Sequence, residues 1–108
     1  MSRPQSDRRR TRRQEVRIPV VLRGKDEGGR DFFSRSEIVS VDQFGALIRV
    51  RFLLKVGTQI ELLLPGEQQP KHLRVVWRGD TESFETGLVG TEFIDPNDSW
   101  DATLLTSP

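Results

Sequence analysis

Hydrophobic residues recur at every second position in run after run along this chain, a period that suits strands with one buried face and does not suit helices. Val16, Ile18, Val20 and Leu22 form one such run, and Ala46, Ile48, Val50 and Phe52 another. Ile60, Leu62 and Leu64 follow, then Leu73, Val75 and Trp77 set against Arg74 and Arg78, and finally Val89, Thr91 and Phe93. Turn-forming residues separate the runs: Gly28-Gly29, Gly45, Gly57, Pro65-Gly66, Gly79-Asp80 and Pro96-Asn97. Five or six short strands at this spacing predict an all-β antiparallel barrel or sandwich, and closure into a barrel would remove the exposed edges of an open sheet. Pro19 fits an edge or strand-start position, because it has no N–H to give to a ladder. Within the barrel, Ile18, Val20, Ile48, Val50, Leu62, Val75, Trp77 and Phe93 are expected to be buried, and the tail carrying Trp100 and Leu104 forms at most a short helical turn.

A chain of 108 residues holds one hydrophobic core. It contains no cysteine and a single histidine, His72 in PKHLR, so disulfides, thiolate chemistry and zinc sites of ordinary ligand composition are not expected. His72, beside Lys71 at the entry to a strand, reads as a solvated surface residue rather than a catalytic base, and no phosphate-loop, dinucleotide-binding or calcium-loop spacing occurs. The expectation is a protein that is not an enzyme. No apolar stretch approaches the length of a membrane span and MSRPQSDRRR lacks the hydrophobic region of a signal peptide, so a soluble, cytoplasmic protein without membrane insertion is expected.

The overall net charge of +1 conceals an asymmetry. Residues 1–17 carry Arg3, Arg8, Arg9, Arg10, Arg12, Arg13 and Arg17 against Asp7 and Glu15, a net of +5, so the rest of the chain sums to −4. A basic arm on a mildly acidic body points to a local anionic partner; a solvated tail is the alternative. Two features converge with it. Arg13 and Arg17 are four apart at the start of the first strand, next to Arg12, and in IVSVDQFGALIRV the polar pair Ser40 and Asp42 ends a strand before Gly45 opens the next. Residues two apart in a strand share a face, so Ser40 and Asp42 would project together, while Gly45 would let the backbone turn or a planar ligand approach. Guanidinium groups grip phosphates and stack on planar rings, and a carboxylate can accept two hydrogen bonds from a guanine edge. A guanine nucleotide satisfies both halves of the set, although VDQFG can equally be read as an Asp-containing hairpin turn that needs no ligand.

Here the chain resembles the PilZ family of cyclic di-GMP receptor domains, whose hallmarks are RxxxR before the first strand and [D/N]xSxxG a strand and loop later. The first is similar to Arg13-Gln-Glu-Val-Arg17 and the second to Ser40-Val41-Asp42-Gln43-Phe44-Gly45, while LRVVWRG at 73–79 and GTEFIDP at 90–96 are similar to the family's late strands. One departure stands out: the acidic and hydroxyl residues are transposed, with Ser40 where the family has Asp or Asn and Asp42 where it has Ser. The resemblance implies a six-stranded antiparallel barrel over residues 12–98, preceded by a basic, mobile arm over 1–11 and followed by a tail over 99–108. It further implies a cyclic di-GMP-binding effector with Arg12, Arg13, Arg17, Ser40, Asp42 and Gly45 at the site. Such an effector needs no cofactor beyond that ligand and passes its signal to an unidentified protein partner. The alternative is an adaptor of the same fold that does not bind the nucleotide and acts through protein contacts. Nucleic acid is not expected as a partner, because the six phenylalanines fall mostly at core positions rather than on exposed stacking faces.

Overall fold

A computed structural model describes residues 13–26, 28–51, 54–79 and 87–101. Six strands form in chain order: β1 (Gln14–Lys25), β2 (Asp31–Val41), β3 (Gly45–Arg49), β4 (Gln59–Leu63), β5 (Lys71–Arg78) and β6 (Leu88–Phe93). They close into a barrel in the order β1-β2-β3-β6-β5-β4, every neighbouring pair antiparallel. The described residues contain no helix, so none is long and apolar enough to cross a membrane. The basic arm over residues 1–11, together with Arg12, lies outside the described residues.

Alternation produces the core. Val20 and Leu22 of β1, Ile38 of β2, Ile48 of β3, Ile60 and Leu62 of β4, Leu73 and Val75 of β5, and Val89 and Phe93 of β6 all point inward and are buried. Val50 and Leu54 close the barrel beyond β3. Pro19 loses nothing by lacking an N–H, since β4 pairs with β1 only over Val21–Gly24 and Pro19 lies beyond that ladder. The β1–β2 hairpin turns through Gly29 at φ 80°, a conformation that favours glycine, while Asp26 Oδ1 accepts from the Gly28 and Arg30 amides at 2.9 Å each.

Trp77 and Ile18 depart from simple alternation. On β5, Val75 pairs with Thr91 and Trp77 with Gly90, so Val76 is an extra residue with no opposite number on β6. That bulge reverses the phase of the strand beyond it. Trp77, expected inside, therefore lies outside and is 40% exposed, resting against the missing side chain of Gly90. Ile18 follows a bulge on β1 and is half-buried at the edge of the core rather than within it. Trp100 is 5% exposed although irregular backbone carries it, its ring 4.8 Å from that of Phe93. Leu104 lies outside the described residues.

Leu62→Ala should therefore cost about 2–5 kcal/mol of stability through a cavity in the barrel. Trp77→Ala should cost less. Urea denaturation of the two variants checks this, and a Trp77→Ala loss as large as that of Leu62→Ala would contradict the outward placement of the indole.

Candidate functional site

The residues singled out on β1 and β2 meet at one place because both ladders are irregular there. On β1, Glu15 pairs with Ser40 and Ile18 with Ile38, so Val16 and Arg17 together oppose Val39. On the other side of β2, Ile38 pairs with Ile48 and Ser40 with Leu47, which leaves Val39 without an opposite on β3. Two bulges thus converge on Val39, and bulges re-aim side chains. The outer face of β1, β2 and β3 is left with a cleft of about 800 Å3, lined by Arg13, Glu15, Arg17, Val39, Ser40 and Arg49 among others.

Arg13 joins the two sequence motifs. Its Nη1 donates to Ser40 Oγ at 3.2 Å, and its Nε stands 3.9 Å from Asp42 Oδ2. Ser40 and Asp42 are both buried, whereas the Arg13 side chain is 53% exposed. The two polar residues do reach a common point, but not by strand periodicity: Ser40 belongs to β2, which ends at Val41, and Asp42 sits in the turn that follows. Arg17 is exposed along the cleft and forms no ion pair with any described residue. Arg12 lies outside the described residues.

Asp42 holds the turn that carries the second motif. Its Oδ1 accepts from the amides of Phe44 at 2.8 Å and Gly45 at 3.0 Å, and its own amide donates to the Gly45 carbonyl at 3.0 Å. This is the hairpin turn that VDQFG allowed, with its second carboxylate oxygen left toward Arg13. Gly45 has a reason unlike the one expected. An added Cβ would overlap the carbonyl oxygen of Thr91, so the missing side chain admits β6 to close contact with β3 and opens no space for a ligand. Thr91 completes that seam by donating its hydroxyl to the Ala46 carbonyl at 2.9 Å. Behind the turn, Trp100 Nε1 donates to the carbonyls of both Asp42 and Gly45 at 3.0 Å. Lys71 holds the same C-terminal segment, donating to Asp98 Oδ1 at 3.0 Å and to the Ser99 carbonyl at 2.6 Å.

Arg49 was not among the residues picked out from the sequence, yet it lines the cleft opposite Arg17. Its signal is the alternation after Gly45: Ile48 points inward, so Arg49 points outward and pairs across the ladder with Glu37. Glu15 and Glu37 also line the cleft, so three arginines share it with two carboxylates. His72 is exposed on β5 with Nδ1 3.9 Å from Glu61 Oε2, on a different face of the barrel, and the described residues hold no cluster of metal-ligating side chains.

Trp100→Phe removes the indole donor from the Asp42 carbonyl and leaves the Gly45 carbonyl only the Asp42 amide, and should cost about 1–3 kcal/mol. Gly45→Ala should cost about as much or more, because the Thr91 carbonyl cannot yield without parting β3 from β6. Thermal and urea denaturation read both, and a Gly45→Ala protein as stable as the parent would contradict the close seam.

Comparison with protein-family models, with curated proteins and with solved structures finds no match, so the functional reading rests on the chemistry of this cleft.

Proposed function

We propose that the cleft binds cyclic di-GMP and that the protein is a non-catalytic effector of PilZ type. The observation that carries this reading is the meeting of Arg13 with Ser40 in the lining of an 800 Å3 cleft that Arg17 and Arg49 share, with Asp42 3.9 Å behind Arg13. That volume suits a compact ligand, since small-molecule sites typically span about 300–1,000 Å3. Arg17 and Arg49 supply bidentate donors for phosphate oxygens, and Arg13 offers a planar guanidinium for stacking on a base. Asp42 Oδ2 and Ser40 Oγ provide acceptors for the donor edge of guanine. Glu15 and Glu37 also line the cleft, so their charge opposes the phosphates and favours a ligand seated toward Arg17 and Arg49. The Trp100 indole ties the same turn to the C-terminal segment, which gives a route from ligand to an unidentified protein partner.

A second reading, an adaptor that contacts proteins and ignores the nucleotide, is favoured by one feature. Asp42 Oδ1 already serves two turn amides, and Oδ2 already faces Arg13.

Calorimetric titration with cyclic di-GMP separates the two. On the effector reading the native protein binds, and Arg17→Ala weakens binding tenfold to a hundredfold, the effect of losing a charge-assisted contact of about 1.5–3 kcal/mol. The melting temperature should hardly change, and affinity should fall as salt rises. The exchange Ser40→Asp with Asp42→Ser puts a carboxylate at the position that Arg13 already reaches, and should tighten binding while loosening the turn. A folded barrel that binds no cyclic di-GMP would overturn the effector reading.

A further inference from the structure

β2 is longer than the sheet that covers it. β3 pairs with β2 only over Glu37–Val41, and beyond Arg49 the chain leaves toward β6, where the Val50 amide donates to the Gly87 carbonyl at 2.6 Å. Among the described residues no strand lies beside the outer edge of β2 from Asp31 to Arg35. Hydrogen-bonded and non-hydrogen-bonded pairs alternate along an antiparallel ladder, so the direction of each main-chain group can be worked out. The Asp26 amide donates to the Arg30 carbonyl at 2.8 Å, which makes Asp26 and Arg30 a bonded pair across the hairpin. Phe32, Ser34 and Ser36 then bond to β1, while Asp31, Phe33 and Arg35 aim their amides and carbonyls away from it. The other side agrees: Val50 bonds toward β6, so Arg49 bonds toward β2, and its partner Glu37 has the same phase as Arg35 and Phe33.

An edge whose main-chain groups face no described strand is a template for another strand, and natural proteins usually blunt it. The Arg35 carbonyl accepts from the Ser34 hydroxyl at 3.2 Å and has a second lone pair for a neighbouring strand. Here the residues on that edge are complementary to themselves. Asp31, Phe33 and Arg35 share the outer face, and Phe33, at the centre, is 72% exposed. We propose that two copies of this chain pair antiparallel through the β2 edges, with Phe33 opposite Phe33 of the second copy and Asp31 opposite Arg35 in both directions. This register brings outward-facing main-chain groups together, sets two aromatic rings side by side, and forms two cross-strand ion pairs. Sliding it so that Phe33 opposes Arg35 keeps the main chain in phase but sets Asp31 against Glu37, like against like, so charge selects the centred register. Lys25 Nζ bonds Asp31 Oδ1 at 2.7 Å and holds that carboxyl below its ordinary range, first by the hydrogen bond and then by its charge. Asp31 is therefore ionised at neutral pH. The interface is isologous, as a two-fold dimer requires. It lies at the far end of β2 from the cleft and does not depend on any ligand.

Sedimentation velocity over a concentration series tests it. The native chain should show reversible monomer–dimer exchange. Arg35→Asp alone sets Asp against Asp at both ends, and Asp31→Arg alone sets Arg against Arg; each should raise the dissociation constant about tenfold or more. Mixed one to one, the two variants are complementary and should associate again, as should the double variant with itself. Phe33→Pro removes both the ring and an outward amide while taking no hydrogen bond from the β1 ladder, and should abolish association, with circular dichroism confirming the barrel. A native chain that stays monomeric at millimolar concentration, or single reversals that associate like the parent, would overturn the proposal.

Discussion

The side chain and main chain of Asp42 hold the C-terminal end of β2, and much of the barrel's organisation depends on that one residue. One carboxylate oxygen fastens the amides of Phe44 and Gly45, which fixes the turn and delivers Gly45 to the Thr91 carbonyl. The Asp42 carbonyl receives the Trp100 indole, so the same turn draws the C-terminal segment into the core against Phe93. The remaining oxygen faces Arg13, the residue just before β1. A buried carboxyl is tolerated only with such partners. The acid is thus part of the turn, and the hydroxyl of Ser40 lies nearer the cleft.

The cleft is built by irregularity in otherwise regular ladders. Without the bulges meeting at Val39, alternation would carry Arg17 and Ser40 through the ladder in strict register; with them, Arg13, Arg17, Ser40 and Arg49 come to one surface. Its electrostatics are mixed. Three guanidiniums and the carboxylates of Glu15 and Glu37 line the same surface.

Most of the barrel was legible in the chain, because its strands bury one face and the period of two survives wherever no residue is inserted. Val20, Ile48, Leu62 and Val75 were placed correctly for that reason. Trp77 was not, since the extra residue Val76 inverts its face and neither residue type announces a bulge. β2 was legible only at its end: in DFFSRSEIVSV its inward positions Ser34 and Ser36 are polar, and Phe33 faces solvent, so hydrophobic alternation fails along a strand that is nonetheless paired. The gathering of Arg13, Ser40 and Asp42 was anticipated, but the role of Gly45 was not, because a close approach between β3 and β6 is a long-range property that no local spacing records. Trp100 escaped for the same reason: its partners are the carbonyls of a turn more than fifty residues earlier.

The two ends of β2 differ in kind, a polar cleft at one and an edge that no described strand covers at the other, and a ligand that uses the first should leave the second untouched. Amide chemical-shift mapping during a titration with cyclic di-GMP measures this residue by residue. Saturable shifts are predicted from Arg13 to Arg17, from Val39 to Gly45, at Leu47 and Arg49, and at the Trp100 indole, with Asp31 to Arg35 unmoved. Shifts confined to the Phe33 end of the barrel, or no shifts at all, would contradict the assignment of the cleft.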